Sequence, residues 1–152
     1  MKPAFAVDPA SLPRAPGAYA LLLALARPCA FETRLLGPVV LEPGRYLYGG
    51  SAWGPGGIRA RVARHVRPDK RVRWHVDHLT RECRCLGAFA LPGGRECELV
   101  ARLLPLHGVT SPVRGFGSSD CARCPSHLLA LPKRLAPRAL IAALASAPEA
   151  AR

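Results

Sequence analysis

Y-L-Y-G-G-S-A-W-G-P-G-G-I-R-A-R-V-A-R-H, residues 46–65, passes from strand-forming chemistry through a glycine-rich turn into a basic helix. Tyr46, Leu47 and Tyr48 follow the turn pair Pro43-Gly44, while Gly49-Gly50 and Gly54-Pro55-Gly56-Gly57 are expected to break regular structure. Strand, loop and helix follow in that order. At about 100° per residue Ile58, Val62 and Val66 share one helix face and should be buried. Arg61 and His65 then lie at the border of core and solvent, above loop N–H groups left free for an anionic oxygen. Arg59 points to the opposite edge. A solvated basic helix after a tight turn is the competing reading.

The chain's 152 residues suit one domain with a real core. No apolar run approaches the ~20 residues of a bilayer span, and the start M-K-P-A-F-A-V-D-P lacks a signal peptide's long apolar centre, which places the chain in the cytoplasm. Lys and Arg number 22 against 10 Asp and Glu, a net charge of +12 that favours a nucleic-acid partner, DNA foremost. The Ala, Arg, Pro and Leu richness also fits a GC-rich coding bias, so placement of the arginines matters more than their number. Arg59, Arg64, Arg67, Lys70, Arg71 and Arg73 gather on or just beyond the basic helix that closes this stretch and form the candidate nucleic-acid-binding set.

Residues 1–16 hold four prolines and read as an irregular lead-in. Residues 17–25 read as a buried central strand; their Leu and Ala also suit a helix, but Pro16-Gly17 and Arg27-Pro28 bound a strand's length. Residues 31–36 and 39–41 suggest an edge hairpin around Gly37-Pro38. Beyond the basic helix the pattern predicts a helix over 72–82, with Asp77 able to pair with Arg73 or Arg81, a strand over 83–91 and a helix over 95–106. Residues 108–126 read as loop. The domain so delimited covers 17–131, followed over 132–152 by a short helix and a frayed Ala-rich tail. The fold class is α/β, a small mixed and mostly antiparallel sheet flanked by helices.

Gly17-Ala18-Tyr19, Tyr48-Gly49-Gly50-Ser51, Arg61-x3-His65 and a Glu on a later helix together resemble the GIY-YIG nuclease superfamily. Ala18 and Gly49 replace the usual isoleucines. Within the superfamily the chain is most similar to a small branch sometimes fused to endonuclease III-type glycosylases. That likeness rests on Trp74-His75-Val76-Asp77-His78-Leu79, on Glu96-Cys97-Glu98-Leu99, and on the run from Gly115-Phe116-Gly117 through Asp120-Cys121 to His127-Leu128. The resemblance implies two strand tyrosines and a helical Arg facing one pocket where a Glu holds one divalent metal, Mg or Mn. Those are Tyr19, Tyr48, Arg61 and either Glu96 or Glu98. Glu96 is preferred for its distance from Pro105, and both cannot face one ion because two helical residues differ by about 200°. The superfamily's late Asn has no counterpart, since the chain contains no Asn; Ser119, Asp120 or His127 are the candidate substitutes.

Phosphodiester hydrolysis needs a deprotonated water in line with the leaving oxygen and positive charge around phosphorus. Adjacent cations would favour a phenolate on Tyr48, which takes the water's proton directly or through Tyr19. Arg61 neutralises an equatorial oxygen, and His65 or His75 orients phosphate or relays a proton. The ordinary alternatives are half-buried strand tyrosines and structural histidines.

Six cysteines in a reducing compartment point to thiols or metal ligands. Cys121-x2-Cys124-x2-His127 has tight metal-ligand spacing, with Asp120, His107, Cys97, Cys83 or Cys85 available to complete it. Buried thiols are the default reading there and a structural zinc the alternative. The expected function is a metal-dependent endonuclease acting on DNA or another nucleic acid. A non-catalytic nucleic-acid-binding module of the same fold is the runner-up, and a metal-binding structural domain built on the cysteine loop comes third.

Overall fold

Alternate residues of Gly17–Leu25 enter two different cores, which explains why this strand is apolar on both faces. Tyr19, Leu21, Leu23 and Leu25 point into one, Ala18, Ala20 and Leu22 into the other. The computed structural model describes residues 2–117 and 124–146. Its strands are β1 (Ala4–Ala6), β2 (Gly17–Leu25), β3 (Cys29–Thr33), β4 (Gly37–Leu41), β5 (Gly44–Ala52), β6 (Arg84–Pro92) and β7 (Leu128–Leu131). Its helices are α1 (Gly57–Val66), α2 (His75–Thr80), α3 (Glu96–Leu103) and α4 (Pro137–Ala145). Five strands form one sheet in the order β1-β6-β2-β5-β7, every pairing antiparallel, while β3 and β4 make a separate hairpin.

One face of the sheet is covered by Ile58 and Val62 of α1, Val76 and Leu79 of α2, and Val39 and Leu41 of the hairpin. The other carries Leu99 and Leu103 of α3 with Leu140 and Leu144 of α4. The chain is therefore an α/β protein with an antiparallel sheet flanked by four helices, as the sequence pattern predicts. No helix among the described residues is long and apolar enough to cross a membrane.

Several expectations are corrected. Residues 1–16 are not an irregular lead-in: β1 pairs with β6, a 3-10 turn follows at Pro9–Ser11, and Leu12 is buried in the core. The same segment closes the start of α1, where Ala15 and Pro13 carbonyls accept from the Ile58 and Arg59 N–H groups at 3.0 Å each. Those N–H groups are thus engaged rather than free for an anion. Gly57 sits at φ +60°, and a Cβ there would collide with the Arg14 carbonyl, so this tight join needs glycine.

Gly49 and Gly50 do not break β5, which runs on to Ala52 with Tyr19 opposite Gly50 and Ala20 opposite Gly49. The helix expected over 72–82 starts only at His75. Asp77 draws in the N–H groups of Arg73 (2.7 Å) and Trp74 (2.9 Å), which holds the preceding residues extended. β7 lies just beyond the stretch read as loop. α4 packs on the same core as α3, so the folded unit continues past residue 131; residues 147–152 of the expected tail lie outside the described residues.

Candidate functional site

Gly50 has no side chain, and the Tyr19 ring occupies the space a Cβ would need. Because Tyr48 and Gly50 share a sheet face and Gly50 pairs with Tyr19, the two tyrosines become diagonal neighbours at one end of the β2–β5 ladder. A cleft of about 190 Å³ opens there, lined by Tyr19, Tyr48, Arg61, Trp74, Glu96 and His127. Larger hollows occur elsewhere, one of about 320 Å³ between the hairpin and α2 and an apolar one of about 410 Å³ beside α3. The smaller cleft is where phenols, a guanidinium, a carboxylate and an imidazole meet. Glu96, at the first turn of α3, faces it, whereas Glu98 is exposed and lines a different hollow with Pro92 and Arg102.

Trp74 positions the cations. The guanidiniums of Arg64, Arg61 and Arg73 lie 4.0, 4.8 and 5.6 Å from its ring centroid. Arg61 is left facing the cleft, while Arg64 spends its fork on Asp77 at 3.1 and 3.2 Å. Asp77 therefore pairs with Arg64 rather than with Arg73 or Arg81.

His65 is not at the solvent border. It is 2% exposed, behind Tyr19, and its Nε2 lies 2.6 Å from the Tyr19 hydroxyl. Its Nδ1 faces Asp77 Oδ1 at 3.7 Å, an ion-pair distance too long for a hydrogen bond. Val66, expected in the stripe, is exposed instead. Tyr19, His65 and Asp77 thus form a buried line running away from the cleft.

The charges of the two tyrosines and of the groups behind them depart from the sequence expectation. Burial pushes the Tyr48 phenol up to about 12, reinforced by Asp77 and Glu96, and Arg61 only partly offsets it. Tyr19 is raised well above its ordinary value, again by burial first. A standing phenolate is therefore corrected to two neutral phenols. Burial lowers His65, which leaves it a neutral base. For Asp77 burial acts upward, but His65, Arg64 and the Trp74 and Arg73 N–H groups outweigh it and hold the carboxyl below the usual carboxylate range.

The remaining site expectations divide. His75 does not line the cleft; its Nδ1 accepts from the Gly117 N–H at 3.0 Å and so holds the loop that packs on Tyr48. Of the basic set, Arg59 donates to the Leu12 carbonyl at 2.7 Å, Arg64 is held by Asp77, and Lys70 donates to the His65 carbonyl. Arg67, Arg71 and Arg73 are exposed. Asp120 and Cys121 lie outside the described residues. Cys124 and His127 come together with Cys97, their ligand atoms all within 4.8 Å of one another, and this group could hold a metal. Burial lowers the His127 imidazole, opposed by the Glu96 charge and the Gly117 backbone.

A family model described as a domain of unknown function, DUF123, matches residues 18–149. The chain belongs to the DUF123 family. No curated protein and no solved structure matches it. The DUF123 match runs from β2 through α4 and so takes in every residue that lines the cleft. Within this DUF123 chain the motif W-H-x-D drew attention to His75, but its Asp is the buried member, paired with Arg64 and facing His65. Trp53 and Arg95, beside Glu96 at the outer rim, carried no sequence signal beyond being an exposed aromatic and a charge.

Proposed function

We propose that this DUF123 chain is a GIY-YIG-type endonuclease that hydrolyses phosphodiester bonds in nucleic acid, DNA foremost, with a divalent cation, Mg or Mn, on Glu96. The observation that carries the reading is that Tyr19, Tyr48, Arg61 and Glu96 line one cleft. A single half-exposed carboxylate beside a guanidinium suits a hard cation that keeps waters and takes phosphate oxygens for its other ligands. When bound, such an ion supplies charge stabilisation at the leaving oxygen. Arg61, clamped on Trp74, meets a non-bridging phosphate oxygen and holds the phosphorus in place.

Proton removal falls to the buried line. Neutral His65, with its proton on Nδ1 toward Asp77, accepts the Tyr19 hydroxyl proton at Nε2. The Tyr19 oxygen then takes the proton of the attacking water, either directly or through Tyr48, which gives its own hydroxyl proton to Tyr19 as it accepts the water's. Asp77 favours the imidazolium that results. This route needs no phenolate in the resting protein, in keeping with the raised tyrosines.

Single-turnover cleavage of single-stranded, duplex, branched and RNA substrates with magnesium or manganese tests the reading. Glu96→Gln should abolish cutting while binding survives, and Glu98→Gln should be nearly silent. Tyr48→Phe should slow cleavage by about 10²- to 10⁴-fold. A wild-type chain that binds nucleic acid and cuts nothing on the panel would leave the runner-up, a binding module of the same fold. Two observations favour that second reading: the chain has no Asn, and both tyrosines are at least nine-tenths buried.

A further inference from the structure

We propose that Cys97, Cys124 and His127 form a binding site for a thiophilic divalent cation, zinc foremost, separate from the Glu96 carboxylate and independent of whether the cleft cuts nucleic acid. The three ligand atoms lie within 4.8 Å of one another, with Cys97 Sγ and His127 Nε2 at 4.0 Å. Zinc–sulfur and zinc–nitrogen bonds of about 2.3 and 2.0–2.1 Å set tetrahedral edges of about 3.6–3.8 Å. Side-chain rotation of a few tenths of an ångström up to about 1 Å therefore closes the triad on an ion. The ligands come from two distant parts of the chain, Cys97 from the first turn of α3 and Cys124 and His127 from the segment entering β7.

The donor set selects the metal. Two sulfurs and an imidazole favour zinc or cobalt over magnesium, which prefers oxygen and holds its water. Binding requires thiolates and a neutral imidazole, so the site should load better as the pH rises. Two cations would then differ in chemistry as well as in place, since Cys97 follows Glu96 directly but lies about 100° round the helix from it.

The position gives the site a consequence. The His127 carbonyl accepts the Gly49 N–H at 2.9 Å, so His127 is already tied to β5 beside Tyr48. An ion joining His127 to Cys97 fastens the first turn of α3 to β5 and so fixes Glu96 as one wall of the cleft. It acts as a positioning centre.

The test uses the full chain, purified without chelator, and needs no substrate. Elemental analysis after desalting should give one zinc per chain. The metal-free protein titrated with cobalt(II) should show a thiolate-to-cobalt charge-transfer band with the intense visible bands of a tetrahedral ion. Cys97→Ser, Cys124→Ser and His127→Ala should each weaken zinc by more than the roughly 100-fold upper range typical of outer-shell groups. Cys29→Ser and Cys85→Ser, thiols elsewhere in the fold, should leave it unchanged. Zinc added in the presence of excess magnesium should raise the wild-type melting temperature further, which covers the case of a ligand variant that fails to fold. Cobalt without a charge-transfer band, or zinc retained by both cysteine variants, overturns the site. Cleavage without zinc leaves the proposed endonuclease standing and removes this site; zinc without cleavage does the reverse.

Discussion

Gly49 and Gly50 are adjacent in β5 yet face opposite sides of the sheet, and their surroundings predict opposite responses to a methyl group. At Gly50 a Cβ overlaps the Tyr19 hydroxyl, so Gly50→Ala should lose about 1–3 kcal/mol and displace Tyr19 from His65. At Gly49 the nearest atom is Leu99 Cδ2 at 3.5 Å, an ordinary contact, so Gly49→Ala should be within about 1 kcal/mol of neutral. Urea denaturation of both variants checks the pair; equal losses would mean that Tyr19 does not dictate the glycine. Asp77 offers a second residue-scale expectation. Asp77→Asn leaves the Arg64 guanidinium without its carboxylate and should lose about 3 kcal/mol, read from the same denaturation curves. The sequence put forward Tyr19, Tyr48 and Arg61 through the resemblance, with Glu96 ahead of Glu98, but it could not place His65. Counted from Ile58, His65 is i+7 and Val66 is i+8, and helical period alone allows either to turn inward. The hydrogen bond from Tyr19, a partner 46 residues away, decides for the imidazole.

At the scale of elements, α1 is built jointly by its own residues and by the segment that precedes β2. Its first N–H groups end on carbonyls of residues 13 and 15, and Arg59 reaches back to the carbonyl of Leu12. Leu12 is 1% exposed, so Leu12→Ala should destabilise the chain by about 2–5 kcal/mol, as for a central core leucine, and thermal unfolding will show it. A true lead-in would tolerate the change. The sequence hid this because four prolines suggest irregularity, and a three-residue strand carries no readable period. β7 escaped for a similar reason, being four apolar residues between prolines. β2 and β6 were legible as apolar runs bounded by Pro and Gly and α3 by its helical spacing; the hairpin was foreseen, but its turn falls at residues 34–36, and Gly37-Pro38 open β4 instead of forming the turn.

For the whole molecule, two readouts sum over many groups. His65 and His75 are both lowered by burial, so below the ordinary imidazole value of about 6.5 the unfolded chain binds more protons than the folded one. Stability should be full above that pH and fall as the pH drops through it. Asp77, held low, adds stability that is present above the ordinary carboxylate value and is lost in stronger acid. Urea midpoints from pH 8 to pH 5 test this, and a flat profile would contradict it. Charge gives the other readout. Arg67, Arg71 and Arg73 are exposed, so replacing each with Ala should reduce the salt dependence of the proposed nucleic-acid binding by about 0.7–0.9 in log–log slope. Arg59→Ala and Arg64→Ala should chiefly lower stability, and slopes measured by fluorescence anisotropy separate the two groups. The order in which the molecule is made adds a last consequence. Ala4 pairs with Ala90, so β1 leaves the ribosome well before β6 and must wait for more than eighty further residues before its partner exists. Until then Phe5 and Leu12 have no core to enter, and a strand made long before its partner is among the last to be secured, a long-range closure of the kind that slows folding.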